Sequence, residues 1–393
     1  MLSHVEKIKK TISDAFARIF GGKDAEVKVQ GGVSARVLFV ANALIPTLQL
    51  SFLKPLAANI EQGNLTTELL SEQQMKELFG KRLRESEVES WISERVEKFK
   101  PTAIVFCRYS GPHTAYLTQL AKAAGIPTVF HVDDDLLHVP VEIGQKKYEY
   151  HNHPARLEAV RYLLENVDLV YCSTEALKQR FVSYGLESNF KVGTIYCSGN
   201  VLVPAVKRST KKIGYMGFDH AHDLETVLPA LIQVLRNDSD VEFELFGSIP
   251  KPAVLEEFGD RVNVIPPVPN YEEFLAKFSS LNWDIGICPL ANTDFNAVKA
   301  NTKWVEYTSV GTAVVASADT IYDACCSGGC GTLATTTAQW VDALELLIGD
   351  SERRLTQVLN AQNRLREDYS VDRLQRQVLD VLDTAAKLVK SAA

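Results

Sequence analysis

Long apolar runs are missing from this sequence, and no stretch reaches the roughly 18 residues that a membrane-spanning helix requires. The opening residues, MLSHVEKIKKTISDAFARIF, also lack the unbroken apolar core and the small-residue cleavage site of a secretory signal. An excess of one charge is absent as well, because 42 basic residues face 49 acidic ones and give a net charge of −7. We therefore expect a cytoplasmic protein that does not bind nucleic acid.

Cysteine is present without the paired spacing of a disulfide framework or a zinc ribbon. The number of cysteines is seven, which is odd. Four of them fall in apparent strands: Cys107, Cys172, Cys197 and Cys288. Such positions are typical of reduced, buried thiols in the cytoplasm. The cluster Cys325, Cys326 and Cys330 has no second pair and no nearby histidine, so we interpret it as a glycine-rich surface loop rather than a metal site.

Residues 1–30 carry an amphipathic pattern. Apolar residues recur there at spacings of three and four, which predicts a helix: Leu2, Val5, Ile8, Ile12, Ala15 and Ile19. Basic residues accompany them: Lys7, Lys9, Lys10 and Arg18. Such a helix can pack on its own domain, join two copies of the chain, or lie peripherally on the inner face of a membrane. These alternatives stay open.

The length of the chain, 393 residues with 46% apolar content, suits two domains of about 150 to 200 residues each. Apparent strands and helices alternate through residues 31–203 and again through 204–368, and the segment 199–212 between them has no periodicity. Residues 369–393 are helical in pattern and are expected to cross back to the first domain. The fold class predicted is α/β, with two Rossmann-like, doubly wound parallel-sheet domains facing each other across a cleft.

Polar groups follow the strands of both predicted domains, where open parallel sheets bind ligands. In the first domain, Asp133, Asp134 and Asp135 come directly after the apolar run IPTVFHV. In the second, GFDH (217–220) and ANTDFN (291–296) follow strands in the same way. Both faces of the cleft are therefore expected to contact a ligand.

The stretch DFNAVKANTKWVEY, residues 294–307, predicts a helix with one polar stripe. Asn296, Lys299, Lys303 and Glu306 are spaced by three, four and three residues. A helix start favours an anion, and a carboxylate further along can accept two hydroxyls of a ribose. The spacing alone fits a diphosphate–ribose site or a plain surface helix with a Lys303–Glu306 pair.

The longer segment PLANTDFNAVKANTKWVEYTSVGTAVVAS, residues 289–317, resembles the nucleotide-sugar site of retaining GT-B-fold glycosyltransferases, in particular the family-4-like group of bacterial cell-surface polysaccharide synthesis. The shared positions are Phe295, Asn296, Lys299, Lys303, Glu306, Tyr307 and Gly311. Ala300 and Ala313 depart from the usual serine and proline, and Val298 stands where many members have a further glutamate. IGYMGFDHAHDL and VDLVYCSTEALKQRF also resemble elements of this group.

The resemblance implies transfer of a hexose from a nucleoside diphosphate sugar to a glycan or lipid-linked acceptor, with retention and without a cofactor or metal. Lys299 and Lys303 are then expected to stabilise the leaving diphosphate, while Asp294 substitutes for the missing glutamate toward the donor sugar. The donor-binding residues implied are Glu306, Asn296, Phe295, Asp294, Gly217, His220 and Asp223. A sugar-nucleotide epimerase or a non-catalytic nucleotide-sugar-binding module with the same fold are the alternatives.

The acidic stretch allows three interpretations. Asp133 and Asp135 can be ligands of a metal, the aspartates can cap a structural turn, or they can belong to an acceptor side in which Asp133 is catalytic and Asp134 binds acceptor hydroxyls. His131, two residues earlier on the same side of the strand as Asp133, is a candidate catalytic residue that contacts the donor sugar. Arg108 either balances this acidic cluster on the acceptor side or forms a structural ion pair.

Overall fold

The computed structural model describes residues 35–80, 85–218, 221–268 and 270–392. The amphipathic helix predicted for residues 1–30 and the candidate donor residue His220 lie outside these ranges. Within them, no helix is both long and apolar enough to cross a membrane.

Twelve strands form two sheets in the described part of the chain. They are β1 (Ala35–Ala41), β2 (Leu65–Ser71), β3 (Ala103–Cys107), β4 (Thr128–Val132), β5 (Leu169–Cys172), β6 (Phe190–Val192), β7 (Lys212–Gly217), β8 (Glu242–Gly247), β9 (Val262–Ile265), β10 (Ile285–Cys288), β11 (Ala313–Ser317) and β12 (Thr332–Ala334). The inner strands of both sheets are apolar and buried on both faces, as in AIVFC of β3, which is typical of parallel sheets covered by helices.

Helices connect the strands and cover the sheets. They are α1 (Pro46–Leu48), α2 (Lys54–Glu61), α3 (Glu72–Phe79), α4 (Glu85–Phe99), α5 (Thr114–Ala123), α6 (Gln145–His151), α7 (Pro154–Asn166), α8 (Glu175–Ser183), α9 (Ala221–Glu225), α10 (Leu228–Asn237), α11 (Tyr271–Leu281), α12 (Thr302–Ser309), α13 (Asp323–Cys326), α14 (Thr337–Gly349), α15 (Ser351–Asp368) and α16 (Val371–Ala392). A π-helix, Gln49–Leu53, joins α1 to α2.

Both sheets are wholly parallel and doubly wound. The first has the order β2-β1-β3-β4-β5-β6, and the second has the order β12-β11-β10-β7-β8-β9. The strand order reverses between β1 and β3 in the first sheet and between β7 and β10 in the second, and such switch points form ligand-binding crevices. The predicted fold class, two Rossmann-like domains, is confirmed.

The last helix returns to the first domain. Residues of α16 spaced by four, three and four are buried against the first sheet: Leu374, Val378, Val381 and Ala385. The Gln377 side chain accepts hydrogen bonds from the backbone N–H of Thr194 (2.8 Å) and of Ile195 (3.2 Å). Because α15 belongs to the second domain, the α15–α16 junction is a second covalent connection between the domains. The first is the segment 193–211, which forms neither helix nor strand.

The continuous helix predicted over residues 294–307 is wrong. Asn296–Val298 form a single 3₁₀ turn, Lys299 is extended with φ −66° and ψ 169°, and α12 begins only at Thr302. The interruption has a tertiary cause, because the Asn296 amide bonds to Asp223 and Val298 is buried in the core of the first domain. The three-four-three spacing is therefore not that of one helical face.

One further expectation is wrong, and one strand was not predicted. Cys325, Cys326 and Cys330 do not lie on a surface loop, since their exposed fractions are 1%, 3% and 4% and they pack in a core of the second domain. Strand β2 is not evident from the sequence, because LTTELLS places polar residues in an edge strand that is only half-buried. All seven cysteines carry free thiols, in agreement with the prediction.

Candidate functional site

The switch point of the second sheet is held together by Tyr307. Its hydroxyl accepts a hydrogen bond from the Met216 backbone N–H (3.0 Å) in β7 and donates one to the Ile287 carbonyl (3.2 Å) in β10. Gly286 leaves room for the ring, since a Cβ there would lie 2.7 Å from it. Helix α12 is thereby fixed across the crevice, and the neighbouring residue Glu306 is fixed with it. Gly217 ends β7 at the same edge.

The loop that follows β10 is shaped by Asp223. One oxygen of this fully buried carboxylate accepts hydrogen bonds from the Ala291 N–H and from the Asn296 side-chain amide, both at 2.9 Å. The same amide also donates to the Ala291 carbonyl at 2.9 Å. Asp223 and Asn296 therefore position the loop that carries Lys299.

Lys299 has a buried ammonium group, and no carboxylate in the described ranges forms an ion pair with it. Its Nζ is shielded from solvent, and none of the residues described in the structure accepts a hydrogen bond from it. The Nζ lies 5.1 Å from the centroid of the Phe295 ring. Burial lowers the pKa of Lys299, although the charges of Asp134 and Asp223 act in the opposite direction. An unpaired buried cation is costly, so the arrangement favours an anionic ligand.

Glu306 is a second incompletely satisfied charge. Its side chain is buried and, among the residues that the structure describes, accepts one hydrogen bond, from the Tyr271 hydroxyl at 3.1 Å. Burial raises the pKa of Glu306 to about 7, against the opposing effects of Tyr271, Lys303 and Lys54. A carboxylate has about four acceptor sites, so Glu306 can bind two further hydroxyls. Lys303 lies between the two groups in sequence, with its Nζ 5.3 Å from the centroid of the Tyr215 ring.

The first domain presents a compact network of paired charges to the same cleft. Arg108, at the end of β3, forms ion pairs with Asp133 and, at 2.7 Å, with Asp134. Asp133 also accepts hydrogen bonds from the Tyr196 hydroxyl (2.6 Å) and the Thr47 hydroxyl (3.2 Å). Burial acts to raise the pKa of both carboxyls. For Asp133 the charges of Arg108 and His131 and the hydrogen bonds from Tyr196 and Arg108 together outweigh burial, so its pKa is lowered. The pKa of Asp134 remains raised, because the charge of Asp133 adds to burial.

Asp135 has a structural role that differs from that of its neighbours. One oxygen accepts a hydrogen bond from the Leu137 backbone N–H (3.1 Å), and the other accepts one from the Tyr184 hydroxyl (2.5 Å). The turn-capping interpretation therefore describes Asp135. Asp133 and Asp135 share no partner in the described part of the chain, so the geometry offers no support for a common metal ion between them.

His131 lies beneath the cleft surface. Its side chain is 1% exposed and packs among the rings of Phe52, Tyr171 and Tyr196. The Nδ1 atom is 3.2 Å from the Tyr171 carbonyl oxygen, whereas Nε2 has no hydrogen-bond partner among the described residues. Burial lowers the pKa of His131 to about 4, so the ring is neutral at pH 7. A contact between His131 and a donor sugar stays a prediction.

The loop before α12 also joins the two domains. The Thr174 hydroxyl donates to the Val298 carbonyl (2.8 Å), and Phe295 and Val298 pack into the core of the first domain. Asp294 forms an ion pair with Arg180 at 3.1 Å, and its side chain is 90% exposed. The structure thus groups Lys299, Lys303 and Glu306 but leaves Asp294 outside that group.

Three cleft residues carry no recognisable signal in the sequence: Lys54, Tyr196 and Tyr271. Lys54 begins α2 after the π-helix, donates to the Ser198 carbonyl (3.4 Å), and has its charge close enough to oppose the raised pKa of Glu306. Tyr271 begins α11 and contacts Glu306 directly. No spacing pattern connects these residues with α12, since each comes from a different segment of the chain.

No family model and no curated protein matches the chain. Among solved structures it is similar to Anabaena Alr3699/HepE in complex with UDP-glucose, at 16% identity and a TM-score of 0.60, over 89% of this chain and 99% of that one. It is similar to sucrose-phosphate synthase from Thermosynechococcus elongatus at 13% identity and a TM-score of 0.61, over 91% and 100%.

A trehalose-6-phosphate synthase, from a study of glycosyl transfer with retention, is similar at 12% identity and a TM-score of 0.57, over 89% and 99%. The likeness extends over both domains of this chain. At such low identity it shows the fold, which is the GT-B arrangement of two Rossmann-like domains.

Proposed function

We propose that the protein is a retaining glycosyltransferase that moves a hexose from a nucleoside diphosphate sugar to a glycan or lipid-linked acceptor in cell-surface polysaccharide synthesis. The observation that carries this proposal is the pair of incompletely satisfied buried charges at the second switch point, Lys299 and Glu306. A diphosphate–ribose supplies an anion for the first and a diol for the second. The names of the structural neighbours support a sugar donor, and UDP-glucose is the first donor to test.

In the proposed reaction the bond between the anomeric carbon and the diphosphate oxygen breaks, and the acceptor oxygen bonds to the same face of that carbon. The leaving diphosphate takes the proton of the acceptor hydroxyl. Lys299 and Lys303 stabilise the negative charge that grows on the diphosphate, and such preorganised charges are commonly the largest catalytic contribution. Glu306 holds the ribose, while Asp223 and Asn296 position the loop around Lys299.

On the acceptor side, the Arg108–Asp133–Asp134 network is preorganised by its own ion pairs. Asp134 contacts Arg108 and has the more exposed side chain of the two aspartates, 23% against 8%. In the proposed function it accepts a hydrogen bond from an acceptor hydroxyl. Asp133 fixes Arg108 through its bonds to Tyr196 and Thr47, and we assign it positioning of this network.

The proposal is tested in two steps. A thermal-shift screen of nucleoside diphosphates and their sugars is expected to give a rise in Tm for one base, since only a ligand of the folded state stabilises it in proportion to occupancy. NMR of the product made from that sugar nucleotide and candidate acceptors is expected to show the anomeric configuration of the donor. A product of inverted configuration, or the absence of any stabilising nucleotide, contradicts the proposal.

A non-catalytic nucleotide-sugar-binding module is the second candidate. It is favoured by Val298, which stands where many family-4-like enzymes have a glutamate and is buried in the core of the first domain with 1% exposure. A protein of this kind binds the nucleotide that raises the Tm but releases no diphosphate from its sugar, with or without an acceptor. Measurement of diphosphate release separates it from the transferase.

A further inference from the structure

Three potential metal ligands meet on elements that carry none of the donor-side residues. Glu85 and Glu89 are one turn apart at the start of α4, and His113 precedes α5 in the loop after β3. Their ligand atoms all lie within 4.8 Å of one another, and no other group of three or more His, Cys, Asp or Glu in the described ranges is this close.

His113 supplies the observation that points to a bound ion. Its side chain is only 8% exposed, and its Nδ1 has no hydrogen-bond partner among the described residues. The facing atom is Glu89 Oε1 at 3.9 Å, which is too far for a hydrogen bond. A buried polar atom without a partner costs about 1–3 kcal/mol in folding free energy. Because the Glu89 carboxylate is near Nδ1 but beyond hydrogen-bond distance, an ion bound between the two atoms would satisfy both.

The geometry and the ligand chemistry suit a divalent cation. Metal–ligand bonds of about 2.1 Å in tetrahedral geometry separate neighbouring ligand atoms by about 3.4 Å. The observed spacing therefore needs to close by roughly 1 Å, which the exposed Glu85 and the partly exposed Glu89 can provide by side-chain rotation. Two carboxylates balance the charge of the ion. An imidazole ligand favours zinc and its first-row neighbours over magnesium or calcium.

We propose that Glu85, Glu89 and His113 bind one divalent transition-metal ion of the zinc class, with a fourth position open to water. The ion joins α4 to the loop between β3 and α5. That loop contains two non-glycine residues in the left-handed region, Arg108 (φ 49°) and His113 (φ 60°). The ion thus holds one end of the loop whose other end carries the Arg108 ion pairs. The proposal is independent of the activity proposed for the cleft.

The test is a zinc titration of the full-length protein, freed of metal with a chelator and then desalted, in competition with a chromophoric chelator. We expect one equivalent of Zn²⁺ to bind to the parent. Glu89→Gln and His113→Ala are expected to weaken zinc binding by more than about a hundred-fold, because removal of a residue that is only hydrogen-bonded to a ligand costs roughly 10- to 100-fold. Glu87→Gln is the matched control, since it removes the same charge from the same helix and leaves the three ligands in place.

Loading with Co²⁺ gives a readout of coordination that does not depend on affinity alone. The parent and Glu87→Gln are expected to show the visible absorption of low-coordinate Co²⁺ with a nitrogen ligand, and Glu89→Gln and His113→Ala are expected to lose it. If His113→Ala does not fold, the comparison of Glu89→Gln with the parent still tests the proposal. Zinc binding that is equal in parent, Glu89→Gln and His113→Ala overturns the proposal, as does a parent that binds no zinc.

Discussion

The two faces of the cleft differ in whether their charged side chains have partners. On the first domain, the Arg108 guanidinium contacts both Asp133 and Asp134, and Asp133 has two further hydroxyl partners. On the second domain, Lys299 Nζ has no partner among the described residues, and Glu306 has one hydrogen bond and a pKa raised to about 7.

The difference distinguishes charges with a structural role, on the first domain, from charges that we propose bind a ligand, on the second. A buried ion pair is costly to break, because removal of one partner leaves the other uncompensated. A buried charge without a partner weakens the folded state and is retained where a ligand supplies the missing interactions. We therefore expect stability to depend on the first face and donor binding to depend on the second.

The largest expected effect is on stability. Arg108→Met leaves the buried Asp133 and the partly exposed Asp134 without their cation, and we expect it to lower the free energy of unfolding by about 3–5 kcal/mol. Urea unfolding followed by circular dichroism measures this change. Lys299→Met is the matched comparison on the opposite face, and we expect it to leave the unliganded stability unchanged or raised. Equal losses in the two variants would remove the distinction between the faces.

The next effect is on turnover. Lys299→Met removes the cation that we propose faces the leaving diphosphate, and we expect kcat to fall about 10²- to 10³-fold, with a smaller change in the KM for the donor. Steady-state kinetics with the sugar nucleotide found in the thermal-shift screen measures both. Lys122→Met, on the exposed side of α5, is the control and should keep the parental kcat. A rise in KM with kcat unchanged would place Lys299 in ground-state binding alone.

Donor affinity depends on Glu306. Because a charge-assisted hydrogen bond contributes roughly 1.5–3 kcal/mol, Glu306→Ala should weaken donor binding about ten- to a hundred-fold. Isothermal titration calorimetry measures it, with Glu367→Ala on the exposed face of α15 as the control. Unchanged affinity in Glu306→Ala would show that the ribose is bound elsewhere.

The pH dependence of the stability of the unliganded protein tests whether the Glu306 carboxyl is incompletely satisfied. The pKa of Glu306 is raised to about 7 in the folded protein from 4.5, so the folded state binds more protons than the unfolded state between these values. The contribution of Glu306 to stability is then fully present below about pH 4.5 and is lost as the pH rises through about 7. We expect Glu306→Gln to flatten this part of the Tm–pH profile. A profile that is parallel to that of the parent contradicts the raised pKa of Glu306.

The smallest effect concerns the contact between domains. The Arg180–Asp294 pair is largely exposed at Asp294, and a double-mutant cycle with Arg180→Ala and Asp294→Ala should give a coupling of at most about 1 kcal/mol in unfolding. Donor affinity should be unchanged in Asp294→Ala, because this side chain lies outside the group formed by Lys299, Lys303 and Glu306. A clear loss of donor affinity in that variant would show that Asp294 contributes to donor binding.

The sequence was sufficient for the fold class, because alternating buried strands and amphipathic helices are local patterns, but it did not reveal the half-buried edge strand β2. It also predicted Lys299, Lys303 and Glu306 as donor-side residues, although through a helix that the structure interrupts. DFNAVKAN contains no residue that forbids a helix. The chain leaves the helical path there because Asn296 bonds to Asp223, which is 73 residues away in sequence. Lys54 and Tyr271 could not be found for a related reason, since only tertiary packing brings them to Glu306.

The most direct test of the central claim compares UDP with uridine in calorimetric titrations of the parent and of Lys299→Met. The diphosphate is what Lys299 is proposed to bind, so the parent should bind UDP far more tightly than uridine. In Lys299→Met this advantage should shrink by about ten-fold or more, as expected for loss of a charge-assisted contact of roughly 1.5–3 kcal/mol. An advantage of UDP over uridine that is the same in both proteins would contradict the account.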